Sequence, residues 1–402
     1  MARVDGVSAA GRDRALGVVA SVAMAEAIVC GAGAAGLAAA ATLGAAGVQA
    51  VVLERSDRVG ASWRSRYDGL RLNTPAWMST LPGYRARHRK YGEYPSRDNW
   101  VRYLEDYTQY HRLDVRFGVD VQKLSATRRG WQVETDGEAF EAAHVIVATG
   151  HERNPYIPDW PGRESYDGKL IHSSAYRNPG PYRGRDVLVV GPNVTGSELA
   201  NQLAKGGAER VRVACRTPPN VVARKFLGVN VNLPGLVLNR LPSRVGDEVG
   251  WLMQRILFGR LDQYGIPRSP MGVATTMVRR RQSPAYDDGF IDELRAGRIE
   301  IVAAVTGFDR SEVILAGGGR IRPDVVIAAT GYRRGLQDLV GHLGVLDADG
   351  CPMVSGGRDH PRSPGLFFIG YRIDLSGQLR LMRIDAKAIA ATISRGGGSG
   401  NS

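Results

Sequence analysis

Cysteine is scarce in this chain: Cys30, Cys215 and Cys351 are all there are in 402 residues, widely spaced and without a CxxC pair. That spacing excludes a disulfide framework and argues against both a structural zinc site and a redox dithiol of the thioredoxin-reductase kind. A reducing, cytoplasmic setting is the expectation. The seven histidines show no metal-ligand spacing, so no metal is expected. No Ser/His/Asp set and no carboxylate pair stands out as a catalytic centre. A membrane span is also lacking. Residues 27–53 carry no charged side chain and would be long enough, but five glycines break them into a strand, turn, helix and strand. Lysine and arginine number 53 against 40 acidic residues, a net charge of +13. The basic residues are scattered, with small knots at 85–90 and 279–281, and no basic stripe is interleaved with aromatics. Nucleic acid is therefore not an expected partner, and the charge reads as solvated surface.

The two ends read as flexible extensions, residues 1–24 and 395–402. The first ends in ALGVVASVA after several arginines, a shape shared with secretory signals, but a strand follows almost at once and Met24 offers an alternative start. The last, RGGGSGNS, has linker composition.

Glycine, by contrast, is abundant at 51 residues, and its placement carries the argument. Residues 25–30 (AEAIVC) read as a buried strand, followed by the turn Gly31-Ala-Gly33-Ala-Ala-Gly36, an alanine- and leucine-rich helix, and a second strand over 48–53 that leads to Glu54. In such a βαβ unit the first glycine makes the turn and the second admits a pyrophosphate. The third lets helix pack on strand, while the acidic residue meets a ribose. The helix N-terminus then faces the phosphates.

A second unit opens with the strand DVLVV at 186–190 and turns through Gly191-Pro-Asn193-Val-Thr195-Gly196 into a helix. Its next strand, RVRVAC, ends at Arg216 and not at an acid. An arginine there suits a 2′-phosphate, so NADPH is expected over NADH, with Arg224 and Lys225 as nearby helpers. Asn193 replaces the middle glycine. Because asparagine tolerates positive φ, it is expected to hold the turn in that conformation while its side chain crowds the pyrophosphate.

Two further strands end alike, at Ala148-Thr149-Gly150 and Ala329-Thr330-Gly331-Tyr332, and a late GLFFIG at 365–370 precedes another helix. The fold class expected is α/β, two Rossmann-like dinucleotide-binding domains with the second inserted in the first. The boundaries expected are 25–178 and 323–394 for the first domain, and 179–322 for the second, with a helical excursion over 226–281.

These motifs together resemble the class B flavin-dependent monooxygenases. Their fingerprint, aromatic-x-Gly-x-x-x-His and an aromatic four residues on, reads Tyr166, Gly168, His172 and Tyr176 here. Baeyer–Villiger members have Trp-Pro at its end, whereas this chain has Tyr176-Arg177-Asn178-Pro179, which weighs against ketone oxidation. Segments such as ATGHERNPYIPDWPG, RTPPNVVARKFLG and DDGFIDELRAGRIEIV resemble YUCCA-type enzymes and their bacterial relatives, and the likeness runs over about residues 25–393.

The resemblance implies FAD on the first unit, with its pyrophosphate at Gly31, Gly33 and Gly36 and its ribose at Glu54. It further implies that Arg55, Gly60 and Trp63 follow the ribose contact and that the Val121 backbone meets adenine. Thr149, Gly150, Gly370 and Leu379 match the late FAD motifs. NADPH falls to Gly191, Asn193, Thr195, Gly196 and Arg216, and Asn73 to the neighbourhood of the flavin ring as the implied catalytic residue. His172 is expected to order the connector between domains and not to donate a proton.

The implied reaction reduces the flavin with NADPH, captures O2 as a C4a-(hydro)peroxyflavin, and oxygenates a small apolar or aromatic molecule. Either nitrogen or sulfur is oxygenated, or a 2-oxo acid is oxidatively decarboxylated. The alternatives are an NADPH oxidase releasing hydrogen peroxide and a transporter-associated redox-sensing flavoprotein. The excursion, with Trp251, is expected to cover the substrate or to pack on the first domain.

Overall fold

The computed structural model describes residues 24–226 and 228–397; the proposed extension over 1–23 and the tail over 398–402 lie outside the described residues. In chain order come β1 (Ala25–Cys30), α1 (Ala34–Ala45), β2 (Ala50–Glu54), α2 (Arg97–Tyr110), β3 (Asp114–Phe117), β4 (Val121–Thr127), β5 (Gly130–Thr135) and β6 (Phe140–Val147). The chain continues with β7 (Lys169–His172), β8 (Asp186–Val190), α3 (Val194–Lys205), β9 (Arg210–Cys215), α4 (Ser243–Phe258) and α5 (Val273–Arg280). It closes with β10 (Ile299–Ala303), β11 (Val325–Ala328), β12 (Leu366–Phe368) and α6 (Gln378–Gly397).

Two sheets result. The first runs β3–β2–β1–β6–β5–β4, parallel from β3 to β6 and antiparallel beyond. The first half of β6 pairs with β5, and its second half takes β12 in parallel. The second sheet, β10–β9–β8–β11–β7, is wholly parallel. Each opens with the same arrangement: the first strand of the unit lies centrally, its βα turn at its carboxyl end, and the order of strands reverses beside it.

Composition explains the packing. Alanine is the strongest helix former and the smallest side chain after glycine. The alanine-rich α1 is therefore buried almost all round, sandwiched between its sheet and α6. On α6 the residues Ala386, Ile389, Ala390 and Ile393 recur at helical spacing and are buried against it.

Several expectations need correcting. The second strand is Ala50–Glu54: it begins two residues later than expected and ends, as expected, at Glu54. The boundaries at 178/179 and 322/323 fall in the wrong places, because β7 and β11 both belong to the second sheet. The second domain therefore spans about 169–328, and the two connectors cross side by side where Asn154–Pro155 pairs with Tyr332–Arg333. The tail expected from 395 remains helical to Gly397. The excursion holds α4 and α5 between two short parallel strands, Val221–Ala223 and Ala285–Asp287. Among the described residues no helix is long and apolar enough to cross a membrane.

Candidate active site

At the end of β1, Gly31 turns with φ +109°, and a β-carbon there would stand 2.8 Å from the Ala148 carbonyl oxygen. A β-carbon on Gly36 would lie 1.9 Å from the Gly31 carbonyl oxygen, so helix and turn touch backbone to backbone. Gly33 is different. It caps α1 in an extended conformation, φ −80°, with no side-chain cap, and a β-carbon on it would meet nothing within 4 Å. That open place before an uncapped helix N-terminus suits a pyrophosphate. Beside it the buried Glu54 carboxylate accepts from the Ala32 amide at 2.7 Å and from the Ser56 amide and hydroxyl at 3.0 and 2.8 Å. Cradle and carboxylate together fit an adenine dinucleotide such as FAD.

The second turn repeats the construction. Gly191 has φ +108° with Ala329 O 2.7 Å from a would-be β-carbon, and Gly196 stands 1.7 Å from Gly191 O on the same measure. Asn193 corrects an expectation. Its φ is −77° and its ψ −166°, the extended cap conformation of Gly33 and not the left-handed one. The position asks for no positive φ in either unit, so asparagine costs no backbone strain. Its cost is volume, because the side chain, which makes no cap hydrogen bond, stands before α3 at the place equivalent to the one that Gly33 leaves open before α1.

Arg216 follows β9, exposed and without an acidic partner among the described residues. The expected helpers are elsewhere. Arg224 pairs with Asp288 at 3.3 Å and donates to Asn73 Oδ1 at 3.2 Å, while Lys225 pairs with Glu93 at 2.7 Å. An ion pair to the first domain draws Lys225 away from Arg216, and Arg224 is held between Asp288 and Asn73.

One cavity of about 1420 Å³ joins the two turns. That exceeds the ~300–1,000 Å³ of an ordinary single-ligand pocket. Among the named candidates it is lined by Gly31, Gly33, Glu54, Arg55, Trp63, Asn73, Val121, Thr149, Gly150, Gly370 and Leu379 on one side. Gly191, Asn193, Thr195 and Arg216 line the other. Asn73 is oriented by Arg224: a guanidinium only donates, so the asparagine oxygen must face it and the amide donors are left for the cavity. Thr149 Oγ1 and Tyr371 OH are 2.9 Å apart, and Gln378 Nε2 donates to Gly370 O at 3.0 Å, which brings the N-terminal end of α6 to the cavity wall. Eight lining arginines against four acidic residues make the cavity basic.

Six candidates stand behind the wall. Gly36 and Gly196 are packing contacts, and Gly60 donates its amide to Ala32 O at 3.0 Å. Gly168 leaves room for the Tyr166 ring, whose atoms a β-carbon would meet at 2.4 Å. Tyr176 is fully buried between Tyr67 and Tyr182. His172 Nδ1 accepts from the Ser174 amide at 3.1 Å, so Nε2 carries the proton and donates to Gly331 O at 2.9 Å. Burial holds its pKa below the usual value. A neutral imidazole thus ties the end of β7 to the connector after β11.

The profile of the pyridine nucleotide-disulphide oxidoreductase family matches residues 28–243. The rice (Oryza sativa subsp. japonica) indole-3-pyruvate monooxygenase YUCCA1 is 33% identical over 351 residues, 86% of this chain and 86% of that protein. The chain belongs to the class B flavin-dependent monooxygenases, beside the YUCCA-type members. A probable indole-3-pyruvate monooxygenase of Arabidopsis thaliana, also YUCCA1, is 32% identical over 86% of this chain and 84% of its own length. The fold is shared with the flavin-containing monooxygenase from Stenotrophomonas maltophilia, TM-score 0.69 at 23% identity, over 92% of this chain and 98% of that one.

As a class B monooxygenase the chain is an oxidoreductase with FAD and NADPH as cofactors. The dithiol in the wider family's name is not carried here: all three cysteines are free, and burial pushes the Cys30 thiol up to about 12. Other features of this flavoprotein site escape sequence reasoning. Arg280 and Arg281, read as solvated charge, line the cavity, and Arg281 pairs with Asp347 at 2.9 Å. Trp251 stands away from the cavity with Arg268 4.6 Å over its ring, whereas Ser269, Pro270, Met271, Val273 and Thr276 of the same excursion line it. A signal at Arg281, a non-glycine residue at φ +49° ending α5, is visible only in the backbone.

Proposed function

We propose that this chain holds FAD at the first turn and NADPH at the second, and uses both with O2 to oxygenate a small organic acid. The observation that carries the reading is the single cavity lined by both turns, since hydride transfer between two dinucleotides requires them to share one space. Gly31, Gly33 and Glu54 hold the FAD phosphates and ribose, and Gly191, Thr195 and Arg216 hold NADPH, while Gly36 and Gly196 let each helix close on its turn. Bound flavin supplies the oxygen chemistry; the protein orients it and keeps water out. Asn73 presents its amide donors to whatever reacts beside it.

The names of the relatives support a 2-oxo acid as substrate, and the basic lining suits its carboxylate as well as the phosphates. The balanced reaction is 2-oxo acid, O2, NADPH and a proton giving the acid one carbon shorter, CO2, water and NADP+. Purified holoenzyme incubated with NADPH and indole-3-pyruvate tests this by following NADPH loss, the shortened acid and hydrogen peroxide together. One equivalent of acid per NADPH is the expected result. Peroxide equal to NADPH, with no product from 2-oxo acids, amines or sulfides, would replace the reading with that of an oxidase.

A further inference from the structure

The helices α1 and α3 are counterparts, and one position breaks the match. Two residues past the third glycine stands Ala38 in α1, with no exposed surface, and Glu198 in α3. An alanine satisfies this backbone in the first unit, so the fold itself does not ask for a carboxylate there. Glu198 follows Val194 by one helical turn and Thr195 by three residues, which places it on the same cavity-facing side of α3.

Its partner comes from the other domain. Tyr67, on the segment after Trp63, donates its hydroxyl to Glu198 Oε2. The Tyr67 ring packs edge-on against Tyr176, 6.3 Å between centroids, so the contact is braced by the connector fingerprint. Among the described residues no protein group donates to Oε1. The charges facing Glu198 are Arg66 from the first domain, Arg224 from the excursion and Asp288 from the segment before residue 290. Both arginines have acids of their own, Arg66 with Glu152 and Arg224 with Asp288.

We propose that Glu198 is a positioning residue, which by accepting from Tyr67 sets the angle at which the second dinucleotide turn faces the first. The inference rests on the proposed function. Burial, outweighing Arg224 and Arg66, pushes the Glu198 carboxyl up to about 8, so it is neutral at pH 7. A neutral acid can sit on the wall of a cavity made for anionic cofactors. Once ionised, it places an unpaired negative charge there and repels them.

The experiment is anaerobic reduction of the FAD-loaded enzyme by NADPH, with NADP+ affinity measured separately by calorimetry from pH 6 to 9. Glu198→Ala should slow reduction at saturating NADPH about tenfold and shift NADP+ affinity at pH 7 far less. Tyr67→Phe should do the same. Glu198→Gln keeps an acceptor for Tyr67, so it should regain most of the lost rate while flattening the weakening of NADP+ binding that the wild type shows above pH 8. Wild-type reduction with an unaffected Glu198→Ala rate, or a Glu198→Gln profile that keeps its inflection near pH 8, would overturn the inference alone. A wild type that NADPH fails to reduce would overturn the proposed function and this inference with it.

Discussion

Gly196 touches the carbonyl oxygen of Gly191 so closely that a β-carbon would stand 1.7 Å from it, and Gly36 stands to Gly31 in the same way at 1.9 Å. The atoms met are backbone, which cannot rotate aside. Gly196→Ala should therefore push α3 off its strand and disable the second turn while the first keeps its cofactor. Gly36→Ala should do the reverse. The check is the flavin spectrum after purification: near-normal FAD content with at least tenfold weaker NADPH binding in the first variant, and FAD-free protein in the second.

The glycines were legible for the reason that makes these variants severe. Glycine spacing reports backbone demands, and those are local. Sheet membership is not local, so the sequence does not show that β7 and β11 join the second sheet: apolar strands carry no mark of the neighbour they will take. The same limit hid the Tyr67–Glu198 contact, whose partners lie 131 residues apart. Proximity in sequence misled in the opposite way for Arg224, eight positions beyond Arg216 yet tied to Asn73 and Asp288. At Asn193 tolerance of a left-handed backbone is beside the point, because both units place an extended helix cap at the middle-glycine position.

That correction fixes what Asn193→Gly should do. No strain is relieved and no cap hydrogen bond is lost, so stability should change by only a few tenths of a kcal/mol. What is gained is space before the α3 N-terminus. NADPH should bind about three- to tenfold more tightly, a change of roughly 1 kcal/mol, measured by titration of the FAD-loaded protein. Unchanged affinity would mean that the pyrophosphate passes elsewhere.

Arg216 should decide between the nicotinamide cofactors. A charge-assisted bond to phosphate is worth about 1.5–3 kcal/mol, so Arg216→Ala should weaken NADPH by about ten- to a hundredfold and leave NADH nearly untouched. Lys225→Ala, whose partner is Glu93, should leave the ratio of the two affinities alone. Equal losses for NADPH and NADH in the Arg216 variant would show a general electrostatic role in place of 2′-phosphate recognition.

Stability should depend on pH through two opposed sets of groups. His111, His144, His151 and His172 are all held below the usual histidine pKa, burial being the first cause in each, and His151 is lowered to about 4. The unfolded chain takes up protons on these side chains before the folded one does. Their contribution is present above about pH 6.5 and is lost as pH falls through the lowered values, about 4 for His151. Glu198 acts the other way. Its carboxyl, raised from 4.5 to about 8, keeps its proton in the folded state after the unfolded chain has released it. Its contribution is complete below 4.5 and is lost as pH rises to 8. Urea unfolding of wild type and Glu198→Gln at a series of pH values isolates the carboxyl by difference. The wild type should lose stability relative to the variant steadily between pH 4.5 and 8, and the variant should show the histidine loss below 6.5 more steeply. Parallel curves across that range would mean that Glu198 ionises normally and that its contact with Tyr67 is an ordinary surface bond.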